Sequence, residues 1–176
     1  MCILTNLRLF GRRKPPSVRL RSASPHAAMM YIDGACSNNG NEELAIGGIG
    51  VFWPNRHEWN ISEPFSGRQS ANRAEIFAAC RGIEKAISLS FSEAYLFSDS
   101  RYLIKGAIAR NYSQRLKGRE RDTEEFERLW TLMDRIDTHF TWIKSESNPA
   151  DQLAKQAVEA KREEINRYEP SSREST

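Results

Sequence analysis

The stretch EAYLFSDSRYLIKG, residues 93–106, joins a short apolar run to a helix-like pattern, with one acid between them. The run from Ala94 to Phe97 predicts a strand that is at least half buried, and the residues after Ser100 predict a short helix behind it. Asp99 stands at the junction. A carboxylate loses hydration at the end of an apolar strand, so it requires a polar partner or a cation. Two interpretations are open at this point: Asp99 caps the helix, or it belongs to a group of acids that holds metal ions.

The composition of the chain limits the possible classes of protein. Its 176 residues suffice for one domain with short tails and a sizeable core. A hydrophobic fraction of 39% and an aromatic fraction of 10% indicate a globular protein rather than a disordered one. No stretch approaches the roughly 20 apolar residues of a membrane span. The three cysteines show no metal-ligand spacing, which favours reduced thiols in an intracellular protein.

The net charge of +3 is mild, but its distribution is uneven. No acid precedes Asp33, whereas six basic residues do: Arg8, Arg12, Arg13, Lys14, Arg19 and Arg21. Residues 1–28 are therefore interpreted either as a mitochondrial transit peptide or as a disordered basic arm that binds phosphates. Pro15 and Pro16 interrupt any amphipathic helix and favour the arm. The expected location is the nucleus and cytoplasm or the mitochondrion.

Three strands are predicted at the start of the domain. They are AMMYIDGAC at 28–36, AIGGIGVFWP at 45–54 and HEWNISEPF at 57–65. We expect the first strand to end at Asp33 and Gly34, and Pro54 to stop the second. Short connections between the three predict an antiparallel meander.

Helices and two further strands follow. SANRAEIFAACRGIEKAI, residues 70–87, carries apolar residues at helical spacing, with Ser70 as its N-cap. TEEFERLWTLMDRI at 123–136 predicts another amphipathic helix, HFTWIK at 139–144 a fifth strand, and NPADQLAKQAVEAKREEI at 148–165 a final helix with Pro149 at its first position. The predicted fold class is mixed α/β: a five-stranded mixed sheet flanked by helices, with strands one and four as possible parallel neighbours. The domain is assigned to residues 29–160, followed by a helix end and disordered tail at 161–176.

Four acids stand at the joints of this pattern: Asp33, Glu75, Asp99 and Asp151. If their side chains converge at one edge of the sheet, repulsion and lost hydration cost several kcal/mol unless cations bind among them. Hard divalent ions such as Mg²⁺ prefer such oxygen ligands.

Each acid also has a purely structural interpretation, and periodicity leaves both open. Asp33 before Gly34 is typical of a turn. Glu75 fits an exposed acid near a helix N-terminus. Asp151 stands three residues after Asn148, the spacing of a capping box.

Four blocks of sequence occur in order with domain-like spacing: YIDGACSNNG, GRQSANRAEIFAACRGIEKA, LFSDSRYLIKG and WIKSESNPADQLAKQA. Together they resemble the ribonuclease H family, specifically the catalytic domain of animal type 1 ribonuclease H. The resemblance runs from about Met29 to about Val158. It implies the family's five-stranded mixed sheet with flanking helices, in agreement with the pattern above.

The resemblance also implies a function. Acids matching Asp33, Glu75, Asp99 and Asp151 bind two Mg²⁺ ions in the family, with Mn²⁺ as a possible substitute, and cut the RNA strand of an RNA–DNA hybrid. Products with 5′-phosphate and 3′-hydroxyl ends are expected. The expected partner is the hybrid, with no membrane, and the expected state is a monomer. Six residues match substrate contacts of the family: Cys36, Asn38 and Asn39 at the RNA strand, Asn72 in the minor groove, and Arg68 and Ser70 at a DNA phosphate.

The sequence departs from the family at several of these places. Relatives carry a glycine- and histidine-containing loop before the last acid, whereas KSESNP at 144–149 has neither; Glu146 is a candidate substitute. Ala71 replaces a hydrogen-bonding Asn, and Asp122 replaces an Asn of the phosphate pocket. The basic stretch ARNYSQRLKGRERD at 109–122 lacks the tryptophans of relatives. A second hypothesis therefore stays open: a nucleic-acid-binding module of the same fold with little or no catalysis.

Overall fold

The computed structural model describes residues 26–41, 43–109 and 122–168. The strands are β1 (Ala27–Ser37), β2 (Ile46–Phe52), β3 (Ile61–Pro64), β4 (Glu93–Ser98) and β5 (Asp137–Trp142). The α-helices are α1 (Ala71–Ser88), α2 (Arg101–Ile108), α3 (Thr123–Met133) and α4 (Ala150–Tyr168). The predictions for residues 1–25 of the arm, for the basic stretch at 110–121 and for the tail at 169–176 lie outside the described residues.

The strands form one sheet in the order β3-β2-β1-β4-β5. β1 pairs antiparallel with β2, and β2 pairs antiparallel with β3, which confirms the predicted meander. β1 runs parallel to β4, and β4 runs parallel to β5. The predicted mixed five-stranded sheet with flanking helices is confirmed.

The first strand is longer than the sequence indicates. It continues past Asp33 and Gly34 to Ser37, so the prediction that it ends there is wrong, and Asp33 is not a turn residue. The reason is the ladder with β2, which persists to the pair Ser37–Ile46, whereas the parallel ladder with β4 ends at the pair Tyr31–Phe97. In the part of the chain that the structure describes, the pairing of β1 with β4 therefore ends two residues before Asp33.

The helices cover both faces of the sheet. α1 packs against β1 and β2, and α3 packs against α1. α4 packs against β2, β1 and β3. Successive strand residues face opposite sides of a sheet, so the contacts of the glycines identify the faces. A Cβ at Gly34 would meet α1, whereas a Cβ at Gly48 or Gly50 would meet α4. None of the helices in the described part of the chain is long and apolar enough to cross a membrane.

Gly34 fixes the distance between β1 and α1. A Cβ at this position would overlap the backbone of Ala74 and Glu75. Glycine alone allows this approach, and it brings the strand that carries Asp33 against the helix turn that carries Glu75.

Gly34→Ala is expected to lower the free energy of unfolding by about 3 kcal/mol, because the added methyl meets backbone, which cannot move aside as a side chain can. Gly82→Ala is the matched control. A Cβ at Gly82 would meet the flexible thioether of Met30, and alanine favours the helix, so its effect should stay within about 1 kcal/mol. Urea unfolding monitored by circular dichroism measures both. Equal effects of the two substitutions would contradict the assigned role of Gly34.

Candidate metal centre and its surroundings

Three of the four predicted acids meet at one edge of the sheet. Asp33 lies in β1 just beyond its last pair with β4, Asp99 follows the end of β4, and Glu75 lies in the second turn of α1. One carboxylate oxygen from each residue lies within 4.8 Å of the others. We call these three residues the acid centre.

Asp99 does not cap the helix that follows it. The N-cap of α2 is Ser100, whose hydroxyl accepts a hydrogen bond of 3.2 Å from the backbone N–H of Leu103. The carboxylate of Asp99 instead points towards Asp33 and Glu75 and accepts a hydrogen bond of 3.2 Å from the Asn148 amide. Of the two interpretations left open by the sequence, the capping role is wrong and Asp99 lies in a group of acids, whereas its binding of metal ions stays a prediction.

The structural alternative for Glu75, an exposed acid near the N-terminus of a helix, is wrong. Its Oε2 is shielded from solvent and has no hydrogen-bond partner among the described residues. Burial raises the pKa of the Glu75 carboxyl well above its usual range, and the charges of Asp33 and Asp99 raise it further. A buried carboxylate oxygen without a partner fits a position for a cation.

The pKa of Asp33 is also raised, for the same two reasons. Asp33 is 7% exposed, and burial together with the charge of Asp99 raises the pKa of its carboxyl to about 7. The backbone N–H of Gly34 opposes this shift. An all-carboxylate donor set with a shielded, unpaired oxygen fits a hard divalent cation, which would compensate the negative charge.

The fourth predicted acid is placed differently. Asp151 lies in the first turn of α4, and its Oδ2 is 2.7 Å from the Nζ of Lys155. It does not belong to the group of oxygens within 4.8 Å, although its charge also raises the pKa of Asp33. Its role as a metal ligand stays a prediction.

Two residues that the sequence did not single out for the site hold Asp99 in place. The buried Asn148 amide donates to the Ile32 carbonyl at 3.0 Å as well as to Asp99, while its Oδ1 accepts from the N–H of Ala150 at 3.2 Å. The indole of Trp142 donates to the Asp99 carbonyl at 3.0 Å. Only the helix-capping position of Asn148 is visible as a local signal.

The end of β1 and the loop after it carry three of the predicted substrate contacts. Cys36 is half-buried, and its thiol donates a hydrogen bond of 3.5 Å to the Ser37 carbonyl. Asn38 adopts a left-handed backbone (φ 49°), and its amide donates to the Leu44 carbonyl at 3.1 Å. Asn39 accepts a hydrogen bond of 3.3 Å from the N–H of Ala71. This last bond ties the loop to the beginning of α1.

The other three predicted contacts lie at that same helix beginning. Ser70 is the N-cap of α1, as predicted, and accepts from the N–H of Arg73 at 3.2 Å. Asn72 is exposed in the first turn. Arg68, in the preceding loop, forms an ion pair with Asp122. The structure therefore brings Asn39, Ser70 and Asn72 together, and it pairs Arg68 within the protein.

The segment before α4 forms a short 3₁₀ turn at Ser145–Ser147, where Glu146 is exposed. His139 lies instead in β5, stacked on Tyr95 with ring centroids 4.6 Å apart. Relatives carry a histidine in this segment, and the suggestion that Glu146 takes over its role stays a prediction.

Asp33→Asn is expected to stabilise the cation-free protein at about pH 8 by about 2 to 4 kcal/mol. The folded-state pKa of Asp33 lies above the unfolded value, so the folded protein binds more protons between the two values. The free energy of unfolding therefore falls as the pH rises from about 4 to about 7, and the part of this loss that comes from Asp33 disappears in the variant.

Urea unfolding in chelator at about pH 4 and about pH 8 measures the effect, which should be small at the lower pH. The control Glu146→Gln removes an exposed acid and should leave stability unchanged at both. A gain that is equal at the two pH values would contradict the electrostatic explanation.

Comparisons with known proteins agree with this architecture. The family model described as RNase H matches residues 25–159. Ribonuclease H1 of Rattus norvegicus is 41% identical over 80 residues, which cover 46% of this chain and 28% of the rat protein. The chain thus matches little more than a quarter of the length of that relative. Ribonuclease H of Syntrophus aciditrophicus is 32% identical over 163 residues, covering 84% of this chain and 90% of the relative.

A solved structure shows the same fold at low sequence identity. A ribonuclease H1 isolated from compost, in complex with an RNA/DNA hybrid, is 20% identical and superposes with a TM-score of 0.59. The match covers 76% of this chain and 97% of that chain. With the family model spanning the whole sheet and α1 to α3, and a bacterial relative similar over nearly its full length, the chain belongs to the ribonuclease H family.

Proposed function

We propose that this chain is an endonuclease that hydrolyses the RNA strand of RNA–DNA hybrids with divalent cations at the acid centre. The observation that carries the proposal is the convergence of Asp33, Glu75 and Asp99 in a partly buried position that raises two of their pKa values. Family membership and a neighbour solved with an RNA/DNA hybrid support the choice of substrate.

In the finer form of the proposal, two Mg²⁺ ions are held by the acid centre together with Asp151, and the products carry 5′-phosphate and 3′-hydroxyl ends. Bound divalent cations supply a polarised water and a countercharge for the phosphate. The protein contributes orientation. Asn148 and Trp142 hold the side chain and the carbonyl of Asp99, and Lys155 holds the carboxylate of Asp151.

The hybrid is proposed to lie across the beginning of α1. Asn39 joins the loop after β1 to Ala71, so the amides of Asn38, Asn39 and Asn72 lie on neighbouring segments. Amide groups at such a surface can hydrogen-bond to 2′-hydroxyls and base edges in a minor groove without reading the sequence. Glu75 lies four residues after Ala71, which is roughly 6 Å further along the axis of α1. This surface therefore adjoins the acid centre.

A binding module with little catalysis is the second candidate. Two observations favour it: the 144–149 segment contains no histidine, and Asp151 is paired with Lys155 rather than placed among the other acids. The acid centre favours the enzyme, because clustered carboxylates without a cation only destabilise the fold.

The purified chain is expected to cut the RNA of an end-labelled RNA–DNA hybrid in Mg²⁺ or Mn²⁺, and to stop when a chelator is added. A DNA duplex and an RNA duplex of the same sequence serve as controls and should remain intact. Salt-sensitive binding of the hybrid without cleavage in either metal would favour the binding module over the enzyme.

Asp99→Asn is expected to lower the cleavage rate by at least about 10³-fold, because the variant loses a carboxylate needed to hold cations. It should also stabilise the cation-free protein, since one source of repulsion on Asp33 and Glu75 is removed. Asp137→Asn is the matched control, an exposed acid at the opposite end of the neighbouring strand β5. Cleavage by Asp99→Asn at the rate of the control would refute the assignment of the acid centre.

A further inference from the structure

Hydrogen bonds hold the loop that carries Arg68. The backbone carbonyl of Arg68 accepts a hydrogen bond from the guanidinium of Arg73. The side chain of the next residue, Gln69, donates to the Phe65 carbonyl at 3.1 Å and accepts from the N–H of Gly47 at 2.7 Å. Ser70 then begins α1. The main chain on both sides of Arg68 is thus fixed, and its side chain leaves the loop in a defined direction.

The guanidinium of Arg68 is held by a carboxylate of its own chain. Asp122 forms an ion pair with it through one oxygen and accepts a hydrogen bond of 2.6 Å from the Tyr102 hydroxyl through the other. The Asp122 side chain is 6% exposed, whereas that of Arg68 is 34% exposed. The carboxylate is therefore enclosed, and the arginine lies at the surface in front of it.

A second ion pair among the described residues lies beside that of Arg68 and Asp122. Arg73 and Glu125 form this pair at 2.5 Å, with both side chains almost fully buried. Within this group of four described residues, two arginines thus face two carboxylates. Removing the charge of Asp122 would leave one positive charge in excess within the group, on the more exposed of its two arginines.

We propose that Asp122 is a built-in anion that occupies Arg68 and lowers the affinity of this chain for a nucleic-acid backbone phosphate at that position. A carboxylate and a phosphate bind a guanidinium through the same paired N–H groups, so the two compete for Arg68. The inference rests on the proposed function, because a hybrid that lies across the beginning of α1 passes the loop that carries Arg68. Asp122 thereby reduces the contribution of one phosphate contact to the binding of nucleic acid.

The test measures binding of the 176-residue chain to an RNA–DNA hybrid in chelator, by fluorescence anisotropy over a series of salt concentrations. Asp122→Asn keeps the size of the side chain and an acceptor for Tyr102 but removes the charge. Affinity should rise about tenfold, and the slope of log affinity against log salt should steepen by about 0.9, the value for one added phosphate contact.

Two further variants assign the gain to Arg68. In Asp122→Asn combined with Arg68→Gln, both the affinity and the salt slope should return to the wild-type values. Glu124→Gln is the matched charge control, because Glu124 is an exposed acid in the first turn of α3, two residues from Asp122. It should leave the salt slope unchanged. A gain in Glu124→Gln equal to that in Asp122→Asn would overturn the proposal, because net charge alone would explain it.

Arg68→Gln in the otherwise unchanged chain supplies a second test that does not require Asp122→Asn to fold. If Asp122 occupies Arg68, this variant should keep the wild-type affinity within about twofold. A loss of about tenfold with a shallower salt slope would show that Arg68 already binds a phosphate, and would overturn the proposal.

The outcome is separable from that of the proposed function. Wild-type cleavage with unaltered binding in Asp122→Asn would refute the role of Asp122 and leave the nuclease proposal intact.

Thermal unfolding in sulfate, compared with chloride of equal ionic strength, tests the same site without nucleic acid. Sulfate should raise the melting temperature of Asp122→Asn more than that of the wild type, and equal shifts would count against the proposal.

Discussion

The close approach of β1 to α1 at Gly34 is the constraint on which the rest of the site depends. Asp33 and Glu75 come from different layers of the fold, a strand and the helix that covers it, and a side chain at position 34 would push these layers apart. Without that contact, the oxygen atoms of the two residues would not lie within 4.8 Å of each other and of Asp99. The third acid needs no comparable device, because the parallel pairing of β4 with β1 already carries it to the same edge.

This arrangement works against the stability of the protein when no cation is present. Burial and mutual repulsion raise the pKa values of Asp33 and Glu75, so at neutral pH the folded chain either takes up protons or bears the cost of the charges. The surrounding residues hold the acids in position despite that cost: Asn148 and Trp142 both donate hydrogen bonds to Asp99. A second balance of charges lies at the beginning of α1, where Arg68 and Arg73 are each paired with a buried carboxylate.

The sequence predicts the elements well because each has a local signal. Helical spacing and the Ser70 cap identify α1, and the three strand-like segments with short connections identify the meander. The end of β1 was predicted too early, because an acid and a glycine resemble a turn, and only the ladder with β2 shows that the strand continues. The choice of Ser100 rather than Asp99 as the cap of α2 is decided by geometry that spacing does not encode. Contacts such as Asn148 with Asp99 and Arg68 with Asp122 join residues 49 and 54 positions apart, which no local pattern reveals.

The hydrogen bond from Asn148 to the Ile32 carbonyl joins residues 116 positions apart in the chain. Contacts of such long range form only after a large loop has closed, and they are typically made late in folding. Asn148 also caps α4, so the docking of the last helix and the fixing of Asp99 are parts of one event. A chain from which α4 has detached would therefore lose the hydrogen bond that fixes the carboxylate of Asp99, while the contact of Gly34 with α1 would still bring Asp33 and Glu75 together. One buried amide thus links the docking of the last helix to the orientation of one of the three acids.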